Sequence, residues 1–310
     1  MIAMRDAYGQ ALVRLGEANP DVVVLDGDLA GSVKTDAFGR RFPERFIQIG
    51  IAEQNMVGVA AGLASTGLVP IVNSFAVFAV CRALDQIRTS VAQPGLPVKI
   101  VGSYSGLLVS KGGCTHTAVE DMGLMRALPG LTVLAPGDEV EAAQVTEMLA
   151  EIPGPVYMRL SRNAIPPVVP EGYRFQIGKA VRLQEGSDVA IISTGSMTAR
   201  VLQAAQSLAC RGVEAEVLHM PTVKPLDEAA VVEAATRCGL VVTAEEHSRI
   251  GGLGSAVAEC LAELMPTRVI RVGIDDRFGE SGADEALLAK FGIDAAGLEQ
   301  QVLAALRPRR

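Results

Sequence analysis

One pattern constrains the fold of this chain more than any other. Short runs of β-branched and aliphatic residues alternate with longer stretches of helical periodicity. Val22–Leu25, Val69–Asn73, Val98–Gly102, Thr132–Leu134 and Val156–Arg159 read as strands; Met4–Ala18, Glu53–Thr66, Ala118–Arg126 and Glu139–Leu149 read as helices. Strands this apolar have no polar face to turn to water, so they predict a mostly parallel sheet flanked by helices on both sides. The pattern stops between Ser161 and Gln176, where Ile165-Pro166-Pro167-Val168-Val169-Pro170 can continue neither a helix nor a central strand. It then resumes with strands at Val189–Ser193, Glu214–His219, Leu240–Ala244 and Arg268–Val272, and helices at Thr198–Leu208, Asp227–Arg237, Gly254–Leu264 and Ala295–Leu306. The expected fold is α/β in two domains with mostly parallel sheets, residues 1–165 and 177–310, joined by a linker over 166–176.

Composition narrows the functional classes. The formal net charge of −7 argues against a nucleic-acid or anionic-lipid partner, although a local arginine cluster can still hold a small phosphorylated molecule. Every apolar run is interrupted by Gly, Pro or a charge before it reaches membrane-spanning length, so no membrane association is expected. The first residues enter a helical pattern at once, with no secretory-leader pattern, which reads as cytoplasmic. The five cysteines are scattered without CxxC spacing and only three histidines accompany them, so reduced thiols are expected and no metal site.

Four segments hold residues that can do chemistry, and each also has a plain reading. Glu53 opens a helix whose later turns lack charge and are therefore expected to be buried; it can serve as a functional acid or as a simple capping acid. Phe75 and Phe78, three apart, share a face on a helical turn and can form a wall for a ring or fill the core. His116 sits in a Gly-rich loop after a strand and just before a helix, placed for proton transfer or facing solvent. Arg159 and Arg162 flank Ser161 and can grip phosphate or lie solvated on a linker. Asp26-Gly27-Asp28 with Asn55 lacks the Gly-Asp-Gly start of a magnesium-diphosphate motif. Gly251-Gly252-Leu253-Gly254 lacks dinucleotide spacing and reads as a glycine-rich helix start.

The order of these signals along the chain is more specific than any one of them. Asp-Gly-Asp-Leu-Ala-Gly-Ser, Gly-Ile-Ala-Glu-Gln-Asn, Phe-x-x-Phe, Thr-His, Leu-Ser-Arg and Glu-Glu-His-Ser-Arg-Ile-Gly-Gly-Leu-Gly occur in succession. Over essentially its whole length the chain resembles the middle and C-terminal domains of transketolase and of 1-deoxyxylulose-5-phosphate synthase. The family's N-terminal domain, with its Gly-Asp-Gly motif, is absent. The resemblance implies the C-terminal subunit of a split transketolase, moving a two-carbon ketol unit between sugar phosphates. It further implies thiamine diphosphate shared across the interface with an N-terminal, diphosphate-binding partner that holds Mg2+ or Ca2+, in an α2β2 assembly.

The resemblance also assigns roles. Glu53 matches the glutamate that hydrogen-bonds the pyrimidine nitrogen and favours its imino tautomer, a task that burial would assist. Phe75 and Phe78 match the aromatic wall, and Cys81 stands where a further aromatic is common. His116 matches a histidine near the reacting carbons. Arg162 matches an arginine on the acceptor phosphate, with Arg5 and Ser32 as further phosphate contacts, and Asp28 matches an acid at the subunit boundary. Two positions depart from the pattern: Gly112 replaces an aspartate that reads a sugar hydroxyl, and Tyr104 replaces a substrate-binding histidine. Both point to an unusual sugar. Competing readings are the β chain of a 2-oxo acid dehydrogenase and a non-catalytic scaffold derived from the family.

Overall fold

Runs such as Val22–Asp26 and Val156–Leu160 are buried along their whole length, as strands must be when helices cover both faces of a sheet. The structure, a computed structural model, describes residues 1–307. In chain order the strands are β1 (Val22–Asp26), β2 (Phe46–Gln48), β3 (Val69–Phe75), β4 (Lys99–Ser103), β5 (Thr132–Leu134), β6 (Val156–Leu160), β7 (Val181–Gln184), β8 (Val189–Ser193), β9 (Ala215–His219), β10 (Thr222–Lys224), β11 (Leu240–Ser248) and β12 (Arg268–Ile274). They form a seven-stranded sheet of order β10-β5-β6-β4-β3-β1-β2 and a five-stranded sheet of order β12-β11-β8-β9-β7. Both are parallel apart from one antiparallel edge each, β10 and β7. Mostly parallel sheets flanked by helices are therefore what the alternation specified. No helix among the described residues is long and apolar enough to cross a membrane.

The strands that the pattern does not reveal are the edges. β2 and β7 are short and half-exposed, and β10 contains Lys224, so none carries an apolar run. β10 also crosses between the halves: Thr222 pairs with Leu134, which lends the first sheet a strand from the second half. The short helices Ala30–Val33 and Asp36–Arg41 and the helix Asp284–Phe291 are further elements without a strong sequence signal.

Three expectations need correction. The helix predicted from Ala118 begins only at Asp121, because Ala118 bridges to Ser105 and stays extended. His116 therefore lies in a loop, not at a helix start. The helix Glu53–Ser65, uncharged after its first residue, buries Met56, Val57, Ala60, Ala61 and Ala64, yet Gly58 and Gly62 face open space. Its lack of charge does not mean burial all round within this chain. β11 runs nine residues, past the predicted end at Ala244, and carries Glu245, Glu246 and His247 into the interior.

Those buried groups are all partnered, Glu246 and His247 across the seam between the halves and Glu245 within the second half. Glu245 accepts bonds from Leu253 N and Gly254 N, both 2.8 Å, and so caps the helix Leu253–Leu264. Glu246 accepts from Leu108 N at 2.8 Å and from Ser196 Oγ at 2.6 Å; burial pushes its carboxyl up. Arg159 belongs to this seam and not to a phosphate grip: it is buried, its Nε donates to Asp121 Oδ2 at 2.8 Å, and its Nη2 donates to Glu246 O at 2.8 Å. Tyr157 Oη donates to the same Asp121 oxygen at 2.6 Å. Burial alone would raise the Asp121 carboxyl, but the Arg159 guanidinium, with His247 and Tyr157, more than offsets it and holds Asp121 below the usual range.

Candidate active site

An open parallel sheet puts its ligand crevice outside the carboxyl ends of the strands, where successive connections leave in opposite directions. In the first sheet β1 leads outward to β2 on one side, and β3 leads to β4 on the other, so that point lies between β1 and β3. Asp28 follows β1, Phe75 ends β3, Tyr104 follows β4 and Arg162 follows β6. The loops at this edge are tightly held. Asp28, Tyr104 and Ser110 all adopt left-handed backbone (φ 65°, 57° and 56°), a conformation that non-glycine residues keep only when their surroundings impose it.

Glu53 is the first residue of its helix and only 1% exposed. Its Oε1 accepts from Ser74 Oγ at 3.3 Å and its Oε2 from Arg82 Nη1 at 2.7 Å. Arg82 also lies with its guanidinium 5.0 Å from the centre of the Phe78 ring. Phe78–Arg82 is a π-helical turn, whose extra residue per turn re-aims the side chains relative to an α-helix. Sequence reasoning passed over Arg82. A signal was available: no Asp, Glu, Lys or Arg stands between Glu53 and Arg82, which makes Arg82 the nearest following cation along the chain.

Three aromatic rings follow one another, joined to this carboxylate through Arg82. Phe78 and Phe75 lie 6.0 Å apart at 25°, and Phe75 stacks on Tyr104 at 4.2 Å and 28°. Half-buried His116 stands over the wall, 5.3 Å from Phe78 nearly edge-on and 6.2 Å from Phe75, with Nδ1 3.0 Å from Thr115 Oγ1. At the far end the Tyr104 hydroxyl accepts a hydrogen bond from Arg5 Nη1, which also donates to Ser32 O at 3.3 Å. The guanidiniums of Arg5 and Arg162 each lie 5.4 Å from the Tyr104 ring centre. The buried Nε of Arg5 has no protein partner among the described residues. The result is a buried acid, a flat apolar wall and a two-arginine pole, in that order.

Other predicted residues sit at the margin. Cys81 turns away from the wall, and its Sγ lies 3.4 Å from Glu120 Oε1; crowding around the sulfur, then the Glu120 charge, push the thiol up to about 12. Asp28 is exposed and tied by its backbone N–H to Gln48 Oε1 at 2.8 Å. Ser32 contributes its carbonyl to Arg5. At Gly112 an added Cβ would stand 2.7 Å from Val109 Cγ1 and 3.1 Å from His116 Cβ, so an aspartate there would require the loop to shift. Asp26 acts structurally, accepting from Leu29 N, Thr35 Oγ1 and Gln48 Nε2.

Comparison with known proteins accounts for this arrangement. Residues 1–167 match the transketolase pyrimidine-binding domain and residues 178–298 the transketolase C-terminal domain. The chain is 45% identical, over 94% of its length and 91% of the relative's, to a 6-deoxy-6-sulfo-D-fructose transketolase subunit of Clostridium sp. (strain MSTE9). It is 41% identical, over 98% of its length and 96% of the relative's, to a putative transketolase C-terminal section of Methanocaldococcus jannaschii. A solved split-gene transketolase, described as an inactive β4 tetramer, superposes with a TM-score of 0.93 at 48% identity over all of both chains. With a pyrimidine-binding and a C-terminal transketolase domain in succession, and a site at the carboxyl edge of the first sheet, the chain belongs to the transketolase family.

Proposed function

We propose that this chain is the C-terminal subunit of a split, thiamine diphosphate-dependent transketolase that transfers a two-carbon ketol unit between anionic sugars. The observation that carries this reading is the carboxylate of Glu53, 1% exposed, linked through Arg82 to the Phe75–Phe78 pair. A buried acid next to a flat aromatic face suits a heterocycle with ring nitrogens, which fits the aminopyrimidine half of the cofactor. Among the described residues no three His, Cys, Asp or Glu side chains gather into a set that would hold a metal. In this reading the partner subunit holds the diphosphate and its Mg2+ or Ca2+.

When bound, thiamine diphosphate supplies the nucleophilic carbon and the electron sink for carbon–carbon cleavage. Glu53 would hold the pyrimidine nitrogen of the bound cofactor and exchange a proton with it, and Phe75 and Phe78 would line its ring. His116, over the same wall, hydrogen-bonds a substrate oxygen and assists its proton transfers. Arg5, Arg162, Ser32 and Tyr104 form the pole for the anionic group of the sugar, the guanidiniums supplying bidentate donors. Asp28 and Cys81 stand at the rim, toward the partner. Support for the split organisation comes from relatives named as a transketolase subunit and as a C-terminal section.

Calorimetry with thiamine diphosphate and magnesium tests the proposal, on this chain alone and after addition of its co-purified partner. Tight binding only in the mixture supports it, and no binding in the mixture refutes it. In the same complex Glu53→Gln should abolish ketol transfer, and a fully active variant would remove Glu53 from the chemistry.

A further inference from the structure

The second half of the chain places one carboxylate where three site-bearing segments meet. Asp284, in the first turn of the helix Asp284–Phe291, accepts from Ser110 Oγ through Oδ1 and from Asn163 Nδ2 through Oδ2 at 2.6 Å. Ser110 begins the turn Ser110–Gly112, held in left-handed backbone, from which the loop runs on to His116. Asn163 directly follows Arg162, and its carbonyl accepts from Met4 N at 3.2 Å, next to Arg5. One side chain thus ties the His116 loop to the Arg162 segment and, through Asn163, to the start of the helix that carries Arg5.

The surrounding packing runs the same way. Gly282 N donates to Ser110 O at 3.4 Å. Gly113, at φ 73°, has Ser281 Oγ where a Cβ would project, and Gly279 packs flat against Thr117. Segment 279–284 is therefore moulded to the underside of loop 110–117, with Asp284 as its only ionised tether to the loop in the hydrogen bonds of the described residues.

We infer that Asp284 is a positioning residue, through which the C-terminal domain sets the spacing between His116 and the arginine pole. This rests on the transketolase reading for its kinetic consequence, and on geometry alone for the coupling. Hydrogen bonds to a charged acceptor are the strong ones, and losing one changes an equilibrium by about tenfold or more.

The coupling is tested first on the chain itself, by hydrogen exchange read by mass spectrometry. Asp284→Ala should speed exchange over residues 109–117 and 161–163 by about tenfold, with β1, β3 and β8 unchanged. Ser110→Ala, a milder change, should loosen 109–117 and leave 161–163 protected. The exchanged pair Asp284→Asn with Asn163→Asp reverses donor and acceptor and should restore slow exchange, which no general weakening of the fold would do. Unaltered exchange over both segments in Asp284→Ala overturns the inference. In the reconstituted complex Asp284→Ala should raise KM for ribose 5-phosphate about tenfold, with thiamine diphosphate affinity unchanged. A loosened loop with unchanged KM and kcat would also overturn the positioning role. If the unsubstituted complex fails to bind thiamine diphosphate, the transketolase reading falls, while the exchange experiment still decides the coupling.

Discussion

Replacing Asp121 by Asn should cost this protein a large share of its stability. Asp121 is fully buried, and Arg159, 6% exposed, depends on it for its only carboxylate hydrogen bond among the described residues. Asparagine keeps the shape, and because Tyr157 and Arg159 donate to the same Asp121 oxygen its amide oxygen can still accept from both. What it removes is the negative charge beside the buried guanidinium, which keeps the carbonyls of Ala118 at 3.3 Å and Glu246 at 2.8 Å as its other hydrogen-bond acceptors. Breaking a buried ion pair from one side costs about 3–5 kcal/mol. The retained Tyr157 bond places the expectation near the lower end, about 3 kcal/mol, against a total of about 5–15 kcal/mol for ordinary proteins. At about 2–4 °C per kcal/mol for chains of 150–250 residues, the melting midpoint should fall by roughly 6–12 °C in scanning calorimetry.

The pH dependence carries its own sign. Asp121 lies below its usual range in the fold, so its contribution is complete above the unfolded value of about 3.9 and is lost as pH falls through the lower folded value. The gap between native protein and Asp121→Asn should therefore be constant from neutral pH to about 5 and close only in stronger acid. Adding Arg159→Met should recover much of the loss, since removing both charges of a buried pair is often close to neutral. A midpoint within about 2 °C of the native protein, or a double variant no better than the single, would refute the reasoning.

Other consequences concern the site. Arg82 is 46% exposed, so its pair with Glu53 contributes on the scale of exposed pairs, under about 1 kcal/mol. Arg82→Ala should leave the melting midpoint in place and tighten thiamine diphosphate binding to the complex by up to about fivefold, because the pyrimidine no longer competes for Oε2. Weaker binding by calorimetry would instead make Arg82 a cofactor ligand. Tyr104→Phe keeps the stack on Phe75 and removes the acceptor for Arg5. The value of kcat/KM should fall about tenfold for a phosphorylated acceptor and much less for glycolaldehyde; equal losses for both would show that Tyr104 does not organise the anionic pole.

Much of the framework was legible in the residues, and the exceptions share a cause. The central strands could be read because β-branched runs of four or five residues announce burial on both faces. β2, β7 and β10 could not, because an edge strand is specified by its neighbour's free hydrogen-bonding groups and tolerates polar residues. β11 was cut short for the opposite reason. Glu245, Glu246 and His247 look like a loop until Leu253 and Gly254 are seen to satisfy the first, Leu108 and Ser196 the second, and Gly123 N the third.

At the site, local order along the chain and family resemblance selected Glu53, Phe75, Phe78, Tyr104, His116, Arg5 and Arg162, and the fold brings these together. The sequence by itself determined the α/β class and the residue types that meet at the strand ends, because periodicity and apolar runs are properties of neighbours in the chain. Only the tertiary structure decided that Arg162 faces the site while Arg159, three residues earlier, turns to Asp121. The same holds for Arg82 closing on Glu53 and for Asp284, far along the chain, meeting Ser110 and Asn163. Which charge pairs with which depends on distances set by packing across the sheet, and those distances have no counterpart in local spacing.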